Sequence, residues 1–248
     1  MPDMSMQDDL QPLIEHLIEL RTRLVRASAV MLLCFLGLFH WSKDLYHLLA
    51  MPLLKTLPQG GQMIATDVTA TFFVPLKVTG MAAFLLTLPH TLYQAWAFVA
   101  PGLYQNEKRL VLPLIVSSVL LFAIGMAFAY FLVFPVVFGF MAAATPVGVA
   151  MMTDIDKYLG FVLGMFLSFG VTFETPVVVM VLVRMGLVSV AKLKEIRPYV
   201  IVGAFVIAAI VTPPDVLSQT MLAVPLWLLY EIGVLLSGWL IQPKAQTE

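Results

Sequence analysis

Runs without Asp, Glu, Lys or Arg dominate the chain. They cover residues 27–42, 78–106, 110–153, 158–173, 198–214, 216–230 and 232–243. A hydrocarbon core about 30 Å thick takes roughly 20 helical residues at about 1.5 Å each. The runs predict six transmembrane helices, at about 25–42, 76–98, 111–134, 158–183, 198–211 and 218–239. The run 110–153 is long enough for two spans, but Pro135, Gly139, Pro146 and Gly148 punctuate its second half. Residues 135–157 therefore read as an outer loop lying partly on the membrane. With six spans and the N-terminus inside, Arg21, Arg23, Arg26, Lys108, Arg109, Arg184, Lys192, Lys194, Arg197 and Lys244 fall on the inner side. Only Lys43, Lys55, Lys77 and Lys157 fall outside, in accord with the positive-inside rule. A seventh span would move the Arg184–Arg197 cluster outside and reverse that bias.

The fifth span is short, about 21 Å from Pro198 to Val211. It ends in a tight turn, Thr212-Pro213-Pro214-Asp215. Pro113 and Pro198 suit first helical turns, whereas Pro89, Pro176 and Pro225 predict kinks. Before the first span, Leu13, Leu17, Leu20 and Leu24 recur at helical spacing, widened by Ile14 and Ile18. Segment 10–24 is thus an amphipathic cytoplasmic helix on the membrane surface. No internal repeat divides the chain, which reads as one polytopic membrane domain.

Composition confirms the class. Sixty per cent of the 248 residues are hydrophobic and only 12% are charged, with a mean hydropathy of +0.95, too apolar for one soluble core. The net charge of −1 gives no basic footprint for nucleic acid. One cysteine, Cys34, excludes an internal disulfide. The acidic N-terminus (Asp3, Asp8, Asp9) argues against a cleavable signal peptide. Zinc-protease, nucleophile-elbow and phosphate-loop motifs are missing, and the four histidines are scattered. The chain reads as no enzyme and calls for no cofactor or metal.

Several polar residues stand out against this background. Glu19 pairs with Arg23 at i,i+4 on the bland reading, and Glu107 with the adjacent Lys108 and Arg109. Alternatively, both are carboxylates on a basic face that suit a guanidinium fork. Glu174 lies inside an apolar helix, where an ionisable residue is functional by default. Its bland role is a bond to the Thr172 carbonyl that Pro176 leaves free. Asp215 caps the sixth span, and Gln219 can hydrogen-bond across helices. Glu231 snorkels or pairs, Lys77 snorkels, and Trp41, Trp96 and Trp239 read as interfacial anchors. A proton-coupled secondary transporter of a small solute is the rival class, although no repeated half is visible.

Five stretches resemble one family. They are His16-Leu17-Ile18-Glu19-Leu20-Arg21-x-Arg23, Ala100-Pro101-Gly102-Leu103-Tyr104-x-x-Glu107-Lys108-Arg109, Phe169-Gly170-x-x-Phe173-Glu174-x-Pro176, Arg197-Pro198-Tyr199 and Thr212-Pro213-Pro214-Asp215. In this order the chain resembles the TatC family, multispanning receptor subunits of the bacterial twin-arginine protein translocase. Met63-Ile64-Ala65-Thr66-Asp67 is similar to its proteobacterial members. The resemblance implies an all-α, cup-shaped bundle of six helices in the bacterial inner membrane, with both termini cytoplasmic. It implies recognition of twin-arginine signal peptides on folded precursors, with Glu19, Arg21, Phe98, Pro101 and Glu107 at the signal-peptide site. It also implies that Ala208, Thr212, Asp215 and Gln219 lie where the single-span subunits TatA and TatB dock. Export would draw on the proton-motive force, within a larger complex holding several copies of the chain.

Overall fold

Backbone inside hydrocarbon has no water to bond to, so a chain this apolar has to be helical where it crosses. The computed structural model describes residues 3–56, 62–99, 108–146, 149, 152–212 and 215–240. Its helices are α1 (Asp3–Leu38), α2 (Ser42–Thr56), α3 (Ala70–Leu86), α4 (Leu88–Val99), α5 (Lys108–Phe128), α6 (Phe134–Ala143), α7 (Ile155–Phe173), α8 (Thr175–Arg184), α9 (Val190–Glu195), α10 (Arg197–Val211) and α11 (Val216–Leu240). Two short strands, β1 (Gln62–Ile64) and β2 (Met152–Asp154), pair in parallel. Four stretches are long and apolar enough to span a bilayer: Ile14–Met51, Leu112–Ala143, Ile155–Arg184 and Val216–Trp239. A fifth is the pair α3–α4, bent by 63°. The chain is an all-helical membrane protein of four to five such spans, joined by the shorter apolar helix Arg197–Ile210.

The differences from the sequence pattern have local causes. Residues 10–24 and the first span form one straight run, because no proline or glycine interrupts the chain from Leu13 to Leu36. At 36 residues α1 is about 54 Å long, well beyond a bilayer core. Segment 42–56 forms a helix of its own, packed on α3 and α6. Residues 134–143 are helical rather than loop. A π-helical turn at Ala129–Val133 precedes them, and Pro135 then falls in the first turn of α6, where its missing N–H costs little. The bend between α3 and α4 lies beside Pro89, where Thr87 Oγ1 donates to the Ala83 carbonyl at 2.8 Å. Helix α11, in contrast, runs unbroken through Pro225. The short strands were not anticipated, since three residues leave no periodic signature.

The closest seam is between α5 and α7. A Cβ on Gly125 would lie 2.5 Å from the backbone oxygen of Phe169, and one on Gly170 would lie 2.4 Å from the Phe122 ring. These glycines let the antiparallel helices meet backbone to side chain. Phe128 fills the space beside them, 5.6 Å from both Phe169 and Phe173 between ring centroids. The main core gathers around this seam: Val133, Phe134, Leu159, Val162, Met165 and Phe169 are fully or nearly fully buried. Helix α11 closes the other side against α8 and α10, with Gly233 against Pro176.

The sheet end of the bundle is tied by one carboxylate. Asp154 accepts from Asp156 N at 2.9 Å and Lys157 N at 3.0 Å, capping α7. It also accepts from the Thr66 backbone N–H at 3.0 Å and from the Thr66 hydroxyl. Nearby, Lys77 does not snorkel alone but donates to Asp156 Oδ1 at 2.6 Å.

Two outcomes follow from these contacts. Gly125→Ala pushes a methyl into the Phe169 carbonyl, so it should lower stability by about 1–3 kcal/mol, read as the thermal midpoint in detergent. The bonds to Asp154, led by the Thr66 hydroxyl, hold its carboxyl down at about 2, against an ordinary 3.8. Because the folded value is the lower one, the cap contributes fully above pH 3.8 and is lost as pH falls through about 2. Thr66→Val should move the Asp154 titration, followed by NMR in micelles, back toward the ordinary value.

Candidate functional site

At the end of the bundle opposite the sheet, α1 packs against α4. The i,i+4 spacing puts Glu19 and Arg23 on that side of α1. Arg23 donates to Glu19 Oε1 twice, from Nε at 2.8 Å and Nη2 at 2.6 Å. Its third nitrogen, Nη1, reaches Gln94 Oε1 on α4 at 3.3 Å. Gln94 is only 7% exposed and contacts His90 Nε2 at 3.4 Å. The second oxygen of Glu19 lies 3.8 Å from His16 Nδ1, and the His16 ring stacks on Phe98 with centroids 4.2 Å apart. Beside this row is a cleft of about 240 Å³, lined by Leu20, Arg23, Leu24, Gln94 and Phe98 among others. Glu19 and Phe98 are thus brought together, whereas Arg21 is exposed on α1. Pro101 and Glu107 lie outside the described residues.

The cleft sets the Arg23 guanidinium and the Gln94 amide against an apolar and aromatic wall of Leu20, Leu24 and Phe98. Among the described residues, no three metal-ligating side chains converge anywhere. Gln94 escaped the sequence reading, although a lone amide in the apolar helix Leu88–Val99 was a usable signal.

Deeper in the bundle, Glu174 sits at the junction of α7 and α8, 7% exposed. Among the described residues, no side chain or backbone group meets either carboxyl oxygen in close hydrogen-bond geometry. The Thr172 carbonyl, its expected partner, is taken by Thr175 Oγ1 at 2.6 Å. The polar side chain facing Glu174 is Ser118 of α5. Ser118 is fully buried and accepts from Trp96 Nε1 at 2.9 Å. Trp96 is therefore a buried donor rather than an interfacial anchor, whereas Trp41 and Trp239 are exposed.

The hairpin of α10 and α11 holds the remaining candidates. Ala208 is fully buried, and Thr212 Oγ1 donates back to its carbonyl at 2.8 Å. Ala208 thus packs the core and offers no surface of its own. Asp215 caps α11, accepting from Ser218 N at 2.7 Å, and Gln219 is half-buried behind it. The exposed feature of the hairpin is an apolar groove of about 240 Å³, lined by Ile201, Phe205, Ala223, Val224 and Trp227. At the opposite end of the hairpin Glu231 pairs with Arg197 at 2.6 Å, while Tyr230 donates to the Leu193 carbonyl at 2.8 Å.

Comparison with known proteins places this architecture. The family described as Sec-independent protein translocase protein (TatC) matches residues 15–225. A TatC protein of Azotobacter chroococcum mcd 1 is 57% identical over 227 residues, covering 92% of this chain and 89% of the relative. TatC of Escherichia coli K12 is 54% identical over 234 residues, covering 94% and 91%. A crystal structure described as the twin arginine translocase receptor TatC superposes with a TM-score of 0.79 at 37% identity, over 92% of this chain and all of that one. The chain belongs to the TatC family. It is a multi-pass membrane subunit of a protein translocase and not an enzyme.

Glu174 generates a prediction about the fold alone. A poorly partnered buried polar group costs about 1–3 kcal/mol, so Glu174→Leu should leave the thermal midpoint unchanged or raise it, while Glu174→Gln, which keeps a polar group there, should leave it unchanged. A marked fall for Glu174→Leu would mean that the carboxyl supports the packing.

Proposed function

We propose that this chain is the receptor subunit that binds twin-arginine signal peptides of folded precursors and organises their export across the bacterial cytoplasmic membrane. The observation that supports this best is Glu19. One of its oxygens already holds the Arg23 guanidinium, and the other has no hydrogen-bond donor among the described residues, near a cleft walled by Leu20, Leu24 and Phe98. Glu107, in the following loop, is the second acceptor, and Arg21, Phe98 and Pro101 border the path of the peptide. The name of the solved relative, a twin arginine translocase receptor, supports the same reading.

In this arrangement α10 counts as a sixth span, both termini are cytoplasmic and the sheet end is outside. Six spans in a cup are supported by the alternation of the helices and by the cationic excess around α1, α9 and α10. TatA and TatB, as single apolar helices, dock along the α10–α11 hairpin near Thr212, Asp215 and Gln219. The groove at Phe205 and Trp227 gives them a ridge-into-groove seat. Glu174 is the intramembrane polar group that a precursor or partner meets, several copies of the chain assemble in the working complex, and the proton-motive force drives transport.

Binding of a fluorescent peptide with two consecutive arginines to the full chain in nanodiscs tests this. Loss of a charged hydrogen bond costs about 1.5–3 kcal/mol, so Glu19→Ala and Glu107→Ala should each weaken binding about tenfold or more. Wild-type affinity in both variants would remove the receptor role from these carboxylates.

A further inference from the structure

Helix α4 turns two faces to two different places. Thr91, Gln94, Ala95 and Phe98 line the cleft against α1. Leu92 and Trp96, one turn apart, join an apolar cluster with Leu114 of α5 and with Val177 and Val181 of α8. Those two valines follow Glu174 by three and seven residues, so they share its side of α8. The Trp96 ring lies on that side, and its N–H donates at 2.9 Å to Ser118, the side chain that faces the Glu174 carboxyl. We propose that Trp96 is a cover over Glu174, carried on the helix that walls the cleft, so that filling the cleft shifts α4 and opens the carboxyl to a polar group of an arriving partner. The link to the peptide rests on the receptor reading of the α1–α4 end, whereas the cover itself does not.

The parts around α4 differ in how firmly they are held. Helix α5 is seated on α7 by the close approach at Gly125 and Gly170, so Ser118 stays with the core. Helix α4 is set off from α3 by the 63° bend, and Pro89 at its start supplies no N–H to continue the helical bonding across it. Its polar ties are Gln94 to Arg23 on the α1 side and Trp96 to Ser118 on the α5 side. At 100° per residue the two faces stand about a third of a turn apart. A load in the cleft therefore acts sideways on Trp96 and slides it across Ser118 rather than pressing it home. A directed N–H···O bond weakens steeply once misaligned, so a small shift or rotation of α4 releases it. The ring then leaves the Val177 and Val181 side of α8, and Glu174 loses the cover beside it.

The test treats the full chain in nanodiscs with dicyclohexylcarbodiimide, which enters the membrane and adds to accessible carboxyls, and follows the adduct at Glu174 by mass spectrometry. The rate tracks the fraction of time the cover is off. Without peptide, Trp96→Ala should label about fivefold or more faster than the wild type, the shift expected when one buried hydrogen bond and its packing are lost. Trp96→Phe keeps a ring against Val177 and Val181 but not the bond, and its rate should lie between the two. Ser118→Ala leaves the indole in place and should label no faster than Trp96→Phe. In the wild type, a saturating fluorescent Arg-Arg peptide should raise the rate several-fold, its Gln-Gln counterpart should not, and neither should add much in Trp96→Ala. Equal rates in the wild type and both Trp96 variants, or a rise in Ser118→Ala as large as in Trp96→Ala, would overturn the cover. An Arg-Arg peptide that binds, by its anisotropy, without changing the wild-type rate would overturn the link through α4. A peptide that does not bind at all would instead remove the receptor reading and the link with it, while the variants still decide the cover.

Discussion

Two glycines govern how closely α5 and α7 approach, and the polar interior depends on that approach. Gly125 lies against the Phe169 backbone and Gly170 against the Phe122 ring. In an antiparallel pair, two turns back from Gly125 brings Ser118 opposite Glu174, five residues past Phe169. The same register lets Trp96 of α4 reach Ser118. In lipid there is no hydrophobic gain from bringing helices together, so small residues and close van der Waals contact decide where they meet. The aromatic residues around Phe128 and Phe134 then fix the spacing by bulk rather than by directed bonds.

Charge is treated differently at the ends and in the middle of the bundle. Glu19 with Arg23, Lys77 with Asp156 and Arg197 with Glu231 are each matched near an end. Glu174 is buried away from any charged partner among the described residues, with the Ser118 side chain facing it. An ionisable group at that depth costs at least about 2.5–3.5 kcal/mol on insertion scales, and the Ser118 hydroxyl is the polar group that faces it. At the end where α1 meets α4, in contrast, all three nitrogens of the Arg23 guanidinium are engaged.

How much of this could be read in advance depended on the range of the interaction. Charge-free runs marked the apolar helices because the bilayer imposes one length scale on all of them. The pairing of Glu19 with Arg23 was legible because it is one helical turn, and the cap at Asp215 because it is three residues. Residues 135–143 misled because Pro135 ordinarily ends a helix, and nothing local announces that a π-turn will place it in a first turn. Gln94, Ser118 and the Thr66–Asp154 bonds depend on residues 22 to 88 positions apart, so no periodic or spacing argument reaches them. Ala208, which the family resemblance puts in the docking region, has a fully buried side chain that packs α10 on the core.

The pairing of Ile64 with Asp154 joins residues ninety positions apart, and that separation imposes an order on synthesis. At roughly 5–20 residues per second, on the order of 5–20 s pass between the emergence of β1 and that of its partner. Through that interval the chain holds its early helices without their lock. The nascent protein must remain in the membrane with β1 open to water or to whatever assists insertion. Closure of the sheet therefore comes only after α5 and α6, which lie between the two strands along the chain, have been made.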